Sequence, residues 1–231
     1  MKKIVIPIGL VIVLIAGLMM SFSRGSAESP TFMREVLPKQ DGFASVGNGT
    51  TGGANATEQN VFKVTNKKEF VAALKNRKNT APKIVLVYGT IDFDTDDTGK
   101  SLTMKDYMAD GYDFQQYLET HKPHSTAPKS LKDEQEEKRK TSQKNQSESI
   151  TVHVPANTSI IGMDNAKLKG VDLVLDADNI IIRNVQFESP YDYFPAWDPK
   201  DGPEGNWNSQ YDSLSIKGGT HIWIDHCSFQ D

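Results

Sequence analysis

Oxygen-bearing side chains crowd one stretch of this chain. Asp198, Asp201, Asn206, Asn208 and Asp212 lie within a single segment rich in Gly, Pro and Asn. Carboxylate and amide oxygens are the ligands that a hard divalent cation such as Ca2+ takes. The spacing is not that of an EF-hand loop, so the same residues also read as turn formers. A second candidate follows closely. Asp225 and His226 are adjacent, and an Asp–His pair could move a proton. Neighbouring residues on a strand point to opposite faces, so one of the two would face inward. Cys227 reads as a small buried apolar residue rather than a nucleophile. His121 and His153 have no evident partners and read as surface groups. Tyr191, Tyr193, Phe194 and Trp197 stand beside the oxygen-rich segment. They could stack on sugar rings or pack their loop onto the body of the fold.

These groups need a scaffold, and from Ser149 onward the sequence becomes repetitive. Thr158–Gly162, Asn179–Phe187 and His221–Phe229 superimpose by pattern, each with an aliphatic run. Ile161 and Ile182 are 21 positions apart, and Ile182 and Ile224 are 42 apart. Short strands recurring at this interval, joined by polar turns, are the mark of a solenoid. Parallel stacking accounts for the nearly continuous aliphatic runs. Asn179 and Asn184 fall at turn positions, where Asn tolerates bent backbone. The extra sequence before the last segment is the stretch from Ser189 to Tyr211. A flat α/β sheet would need helical patterning between the strands, and residues 163–179 and 188–211 show none.

Upstream, residues 28–60 look like an irregular, exposed lead-in. Lys63–Arg77 reads as a helix, with Asn66 and Glu69 as a capping pair and Phe70, Val71 and Leu74 on its apolar face. Lys83–Asp92 is a β-branched strand that Gly89 allows to bend. Residues 100–149 hold few aliphatic side chains and the mixed-charge run Lys132–Lys140. They read as an insertion outside the core, either a solvated helix or a mobile excursion.

The bulk properties bound the partners. Lys2, Lys3, the apolar run Ile4–Met20 and the small residues Gly25-Ser26-Ala27 read as a signal peptide over residues 1–27. An uncleaved anchor is the other reading, and the apolar run is at the lower limit for it. One cysteine rules out an internal disulfide framework. A net charge of −4 argues against general attraction to nucleic acid or to an acidic polymer. If the substrate is a polyanion, local positive charge or a metal must receive it.

The motifs, taken in order, resemble a known family. They are the capping helix, Val-Tyr-Gly-Thr-Ile-Asp92, the polar insertion, Asn157-Thr-Ser-Ile-Ile-Gly162, Asp178-Asn-Ile-Ile-Ile-Arg-Asn-Val-Gln-Phe187, Tyr191-Asp-Tyr-Phe-Pro-Ala-Trp-Asp-Pro199, Gly205-Asn-Trp-Asn-Ser-Gln-Tyr-Asp212 and His221-Ile-Trp-Ile-Asp-His-Cys227. Together they resemble secreted Bacillus-type pectate lyases, polysaccharide lyase family 1. The resemblance implies an all-β fold, a right-handed parallel β-helix with an N-terminal capping helix, occupying residues 28–231. It implies calcium-dependent β-elimination on polygalacturonate (pectate), with an arginine removing the C5 proton. Asp212 matches the first calcium-binding aspartate, and Asp201 and Asn208 match positions that bind additional calcium ions with substrate. The Trp223, Asp225 and His226 region is structural in that family.

In that family the other calcium aspartates, a lysine and the active-site arginines follow the His-Ile-Trp-Ile-Asp-His motif, whereas this sequence stops at Asp231. The expectation is therefore an incomplete and inactive portion of a secreted lyase, monomeric when complete and not held at a membrane once the signal is removed. The alternative is a β-helix that binds pectin or calcium without cleaving. A hydrolase on the same coil would need closely placed acid and base carboxylates, which are not evident.

Overall fold

The computed structural model describes residues 31–231. The expected signal peptide, residues 1–27, lies outside the described residues. Strands β1 (Val61–Val64), β2 (Lys83–Asp92), β4 (Thr158–Lys169), β6 (Ile180–Arg183) and β11 (Ile222–Asp225) stack side by side, all parallel. β2 and β4 are long enough to turn a corner. The register between them shifts at Tyr88/Thr90, where Gly89 has a φ of 65° that a side chain would resist. Past the corner, β4 pairs with β7 (Gln186–Glu188), and β7 with β12 (Ser228–Gln230). A separate parallel sheet runs β3 (Thr151–His153), β5 (Asp172–Leu175), β10 (Leu214–Ile216). The chain visits these faces in turn, which makes the architecture a parallel β-helix.

Stacked coils put like residues on like. Val85, Ile160, Ile182 and Ile224 form one inward ladder. Ile91, Leu168, Phe187 and Phe229 form a second, in which the last two rings stack at 5.0 Å. Val152, Leu173 and Leu214 form a third. The first ladder corrects the sequence reading by one residue. Ile160, not Ile161, stacks on Ile182; Ile161 pairs with Arg183 and points outward. A slip of one residue moves a side chain to the opposite face. The period of 21 missed this because adjacent isoleucines look alike. Ile182 also pairs directly with Ile224, so residues 189–211 are an excursion from one coil, not an additional coil.

Asn179 and Asn184 turn in the left-handed region as expected, at φ 61° and 56°. The lead-in is irregular but docked. Asn179 Oδ1 accepts hydrogen bonds from the Thr51 and Gly52 amides at 2.7 and 2.8 Å. Phe32, Met33 and Ala56 cover an outward apolar layer made by Ile84, Leu86, Ile161 and Ile181.

Helix α1 is shorter than expected, Lys67–Leu74, because residues 61–64 pair with β2 as strand β1. Its Asn66 cap holds: the Asn66 side chain accepts from the Glu69 amide at 3.0 Å. Glu69 returns the bond to the Thr65 amide, not to Asn66. Phe70, Ala73 and Leu74 close the first end of the coil.

Residues 104–150 form α2 (Met104–Tyr107), α3 (Phe114–His121) and α4 (Lys129–Ile150). They share a separate aromatic cluster of Tyr107, Tyr112, Tyr117 and Phe194.

Candidate functional site

The sheet β3–β5–β10 presents its outward face as the floor of an open cleft of about 430 Å³. Parallel register arranges that floor in rows. Thr151 lies beside Asp172, and Ser213 follows just before β10. His153, Val174 and Ser215 form the next row. Asp176 and Lys217 extend it past the strand ends, Lys217 held by its amide bond to Leu175 O. One wall is the last part of α4, which offers Lys140, Lys144 and Glu148.

Two pieces of polar engineering fix the neighbouring excursion, residues 189–211. Asp192 accepts the Phe194 amide at 2.8 Å with one oxygen and the Gln210 amide at 3.0 Å with the other, tying the excursion's start to its end. The Tyr211 hydroxyl donates to Gln143 O of α4 at 3.0 Å. Between them stands the hairpin β8 (Ala196–Asp198) and β9 (Asn206–Asn208), the antiparallel pair of this excursion.

Asp212 follows the clamp and stands exposed at the rim of the floor, with Ser215 Oγ at 3.4 Å. Asn208 is at the base of the hairpin, opposite Ala196. Asp201 is exposed in its tip, beyond Asp198. Two of the three are thus spread along the excursion and Asp212 lies just past it, and among the described residues no three His, Cys, Asp or Glu side chains converge on a common metal position. One observation does suit a hard cation. Asp172 is 5% exposed, and its Oδ1 is buried without a hydrogen-bond partner. Its Oδ2 accepts from Thr151 Oγ1 at 3.0 Å. Burial pushes the Asp172 carboxyl above the usual range, against the Thr151 bond and Lys217; nearby Asp212 raises it further. An orphaned carboxylate oxygen with a second carboxylate close by is a donor set that a divalent ion would complete.

The Asp225–His226 pair lies on the β6–β11 face, not on the cleft floor. Asp225 accepts from Arg183 Nε at 2.8 Å, and the Arg183 guanidinium lies between the Phe32 and Trp223 rings, 5.0 and 4.8 Å from their centroids. Its other bond goes to Glu35 at 2.6 Å. The alternation argument fails at His226, whose φ of 50° places it in a turn with its side chain exposed. Cys227 packs against the core, and burial raises its thiol pKa, which suits a structural residue.

Both histidines read as unpartnered have partners. His121 rests on the Tyr117 ring, centroids 4.1 Å apart, with its Nδ1 3.0 Å from Tyr117 O. His153 Nδ1 is 3.0 Å from Asp176 Oδ2, an oxygen that also accepts from Arg77 at 2.6 Å. The signal for the second pair was the coil spacing itself: positions 153 and 174 share a row, which brings Asp176 within reach. In the aromatic cluster, Phe194 is fully buried and Tyr193 packs on Tyr107 at 6.0 Å. They fasten the excursion to the helical insertion rather than to the coil. Tyr191 stays 70% exposed.

The family model described as "Pectate lyase" matches residues 9–109 and 127–231. A pectate lyase of Bacillus subtilis (strain 168) is 44% identical over 221 residues, covering 95% of this chain and 53% of that protein. Pectate lyase E of Dickeya dadantii (strain 3937) is 30% identical over 214 residues, covering 92% of this chain and 42% of that one. Among solved structures, a mutant of the B. subtilis pectate lyase superposes with a TM-score of 0.82 at 46% identity. A pectate lyase bound to a hexasaccharide superposes with a TM-score of 0.80 at 45% identity. Each superposition covers 87% of this chain and 50% of the other. The chain spans about half the length of the relatives it matches.

Proposed function

The chain belongs to the pectate lyase family, and on that premise we propose that it takes part in calcium-dependent β-elimination of polygalacturonate, with Asp212 as a calcium ligand. The observation that carries this reading is the position of Asp212, exposed at the rim of the cleft floor with the unpartnered, buried Asp172 Oδ1 nearby. Bound Ca2+ would neutralise the substrate carboxylate next to C5 and so stabilise the charge that grows there as the proton leaves. Asp201 and Asn208 would serve further calcium ions. Asp201 lies beyond the Asp198–Asn206 rung and Asn208 two rungs back, roughly 7 Å along the strand.

Every arginine among the described residues is already engaged. Arg34 pairs with Glu58, Arg77 with Asp176, Arg139 with Glu136, and Arg183 with Glu35 and Asp225. None is free to act as the base that the resemblance calls for. The same observation favours the second reading, pectate binding without cleavage, for these 231 residues on their own. The N-terminal export pattern of the sequence supports secretion, and outside the cell the protein would meet its polymer.

One assay separates the readings. Residues 31–231 joined in frame to the C-terminal half of the B. subtilis relative are expected to release unsaturated product from polygalacturonate with Ca2+, followed by ultraviolet absorbance. Asp212→Ala in that joined protein should lower turnover by at least ~100-fold and weaken calcium binding. An Asp212→Ala protein with normal turnover and metal affinity would end the proposal. The 231-residue chain alone should show no turnover.

A further inference from the structure

The cleft floor carries a second polar centre, one and two coils before Asp212. We propose that His153, held by Asp176, is a contact residue for a substrate carboxylate, so that this part of the floor selects a uronate unit over its neutral counterpart. This inference rests on the polygalacturonate reading.

Four observations carry it. His153 projects from the outward face of β3, in the same row as Val174 and Ser215. Its neighbour β5 and then β10 follow at about 4.8 Å each, and Ser215, two coils on in the same row, lies 3.4 Å from the Asp212 carboxylate, so a polymer laid along the coil axis beside Asp212 also passes over His153. The ring is oriented: Asp176 Oδ2 takes Nδ1 at 3.0 Å, and the side chain is 38% exposed in the cleft. A carboxylate on Nδ1 leaves Nε2 for a ligand, and an imidazole placed between two carboxylates donates from both nitrogens.

The surrounding charges permit an anion there. Asp176 is offset by Arg77 at 2.6 Å and Glu148 by Lys144 at 3.6 Å. Lys140, although paired with Glu137, and Lys217 line the same cleft. An otherwise acidic chain therefore offers a local balance that admits a uronate. Asp176 is a positioning residue in this account, since it acts through the imidazole.

The test is a fluorescence titration of the 231-residue chain at sub-micromolar concentration, with chelator present so that no metal contributes. The probes are tetragalacturonate and its methyl ester. His153→Ala is expected to weaken tetragalacturonate binding about five- to tenfold, the scale of one partly exposed charge-assisted contact, while leaving the ester unchanged. His153→Gln should retain part of the affinity through its amide donors. Asp176→Asn should lower the preference for acid over ester without altering ester affinity, an outcome that general loosening of the fold would not give. Equal acid affinity in the original and His153→Ala chains would overturn the inference alone. Failure of the original chain to bind tetragalacturonate under these metal-free conditions would overturn this inference, while the calcium-dependent reading stands or falls separately by the joined-protein assay.

Discussion

Asp172 is folded into a place that disfavours its charge. Burial holds its carboxyl above the ordinary aspartate value. A raised carboxyl binds its proton more tightly in the folded state than in the unfolded chain. Stability therefore falls as pH rises from the unfolded value through the folded one, and the loss persists above that window. Asp172→Asn removes the titration and still lets Thr151 donate a hydrogen bond. The substitution should raise the melting temperature at neutral pH by a few degrees and flatten the acid-side slope, as read by circular dichroism. A residue that costs stability in this way belongs with function rather than with folding. Arg183 is the opposite case. It is 7% exposed, ion-paired on two sides and flanked by two rings. Arg183→Met keeps much of the packing but leaves the Asp225 carboxylate with His226 as its remaining partner, and should cost about 2 kcal/mol in denaturant unfolding. A change under ~1 kcal/mol would mean that solvent rescues the carboxylate.

Elements differ in how openly the sequence declares them. The coil strands and their Asn turns were legible, because a parallel stack demands aliphatic runs at a fixed interval. Helix α4 was much less so. The residues it buries are Gln135, Arg139, Ser142, Gln146 and Ile150, a helical stripe that is polar except for its last member. No apolar periodicity marks such a face. It is stable because the polar groups meet backbone: Arg139 donates to Phe194 O at 2.9 Å, Gln146 to Tyr191 O at 2.7 Å, and Ser142 accepts the Ala109 amide at 2.9 Å. A buried polar stripe satisfied by loops cannot be read until the loops are placed. Lys67, the first residue of α1, follows the same logic. Its ammonium donates to Phe93 O, Thr95 O and Ser149 Oγ at 2.7, 2.7 and 2.8 Å, joining α1, the end of β2 and the end of α4. Lys67→Met leaves two carbonyls without that donor. The expected loss is about 2–3 kcal/mol, with earlier hydrogen exchange in α1 and the end of α4 than in β6. Uniform exchange across these elements would show that Lys67 does not couple them.

At the scale of the whole molecule, the sequence showed the solenoid and an oxygen-rich segment, but not the one-residue register or the cleft's floor. Those depend on which neighbour each coil finds, a long-range fact. The coil also carries a consequence for solution behaviour. β10, β11 and β12 each pair on one side only, so their other edges offer unpaired backbone groups. The rung they form also leaves Ile216 59% and Phe229 54% exposed. Open parallel edges beside apolar side chains favour edge-to-edge association. The 231-residue chain should therefore form larger species as its concentration rises, seen by sedimentation velocity. Lysine at the two exposed positions, Ile216→Lys with Phe229→Lys, should restore the monomer, because charge on an edge opposes pairing. Covering the rung by joining the C-terminal half of the B. subtilis relative should do the same without either substitution. The two remedies act differently, one by repulsion and one by completing the stack, so success of both would identify this rung as the adhesive surface. A monomer at every concentration in the unsubstituted chain would show instead that the last coil protects its own edge.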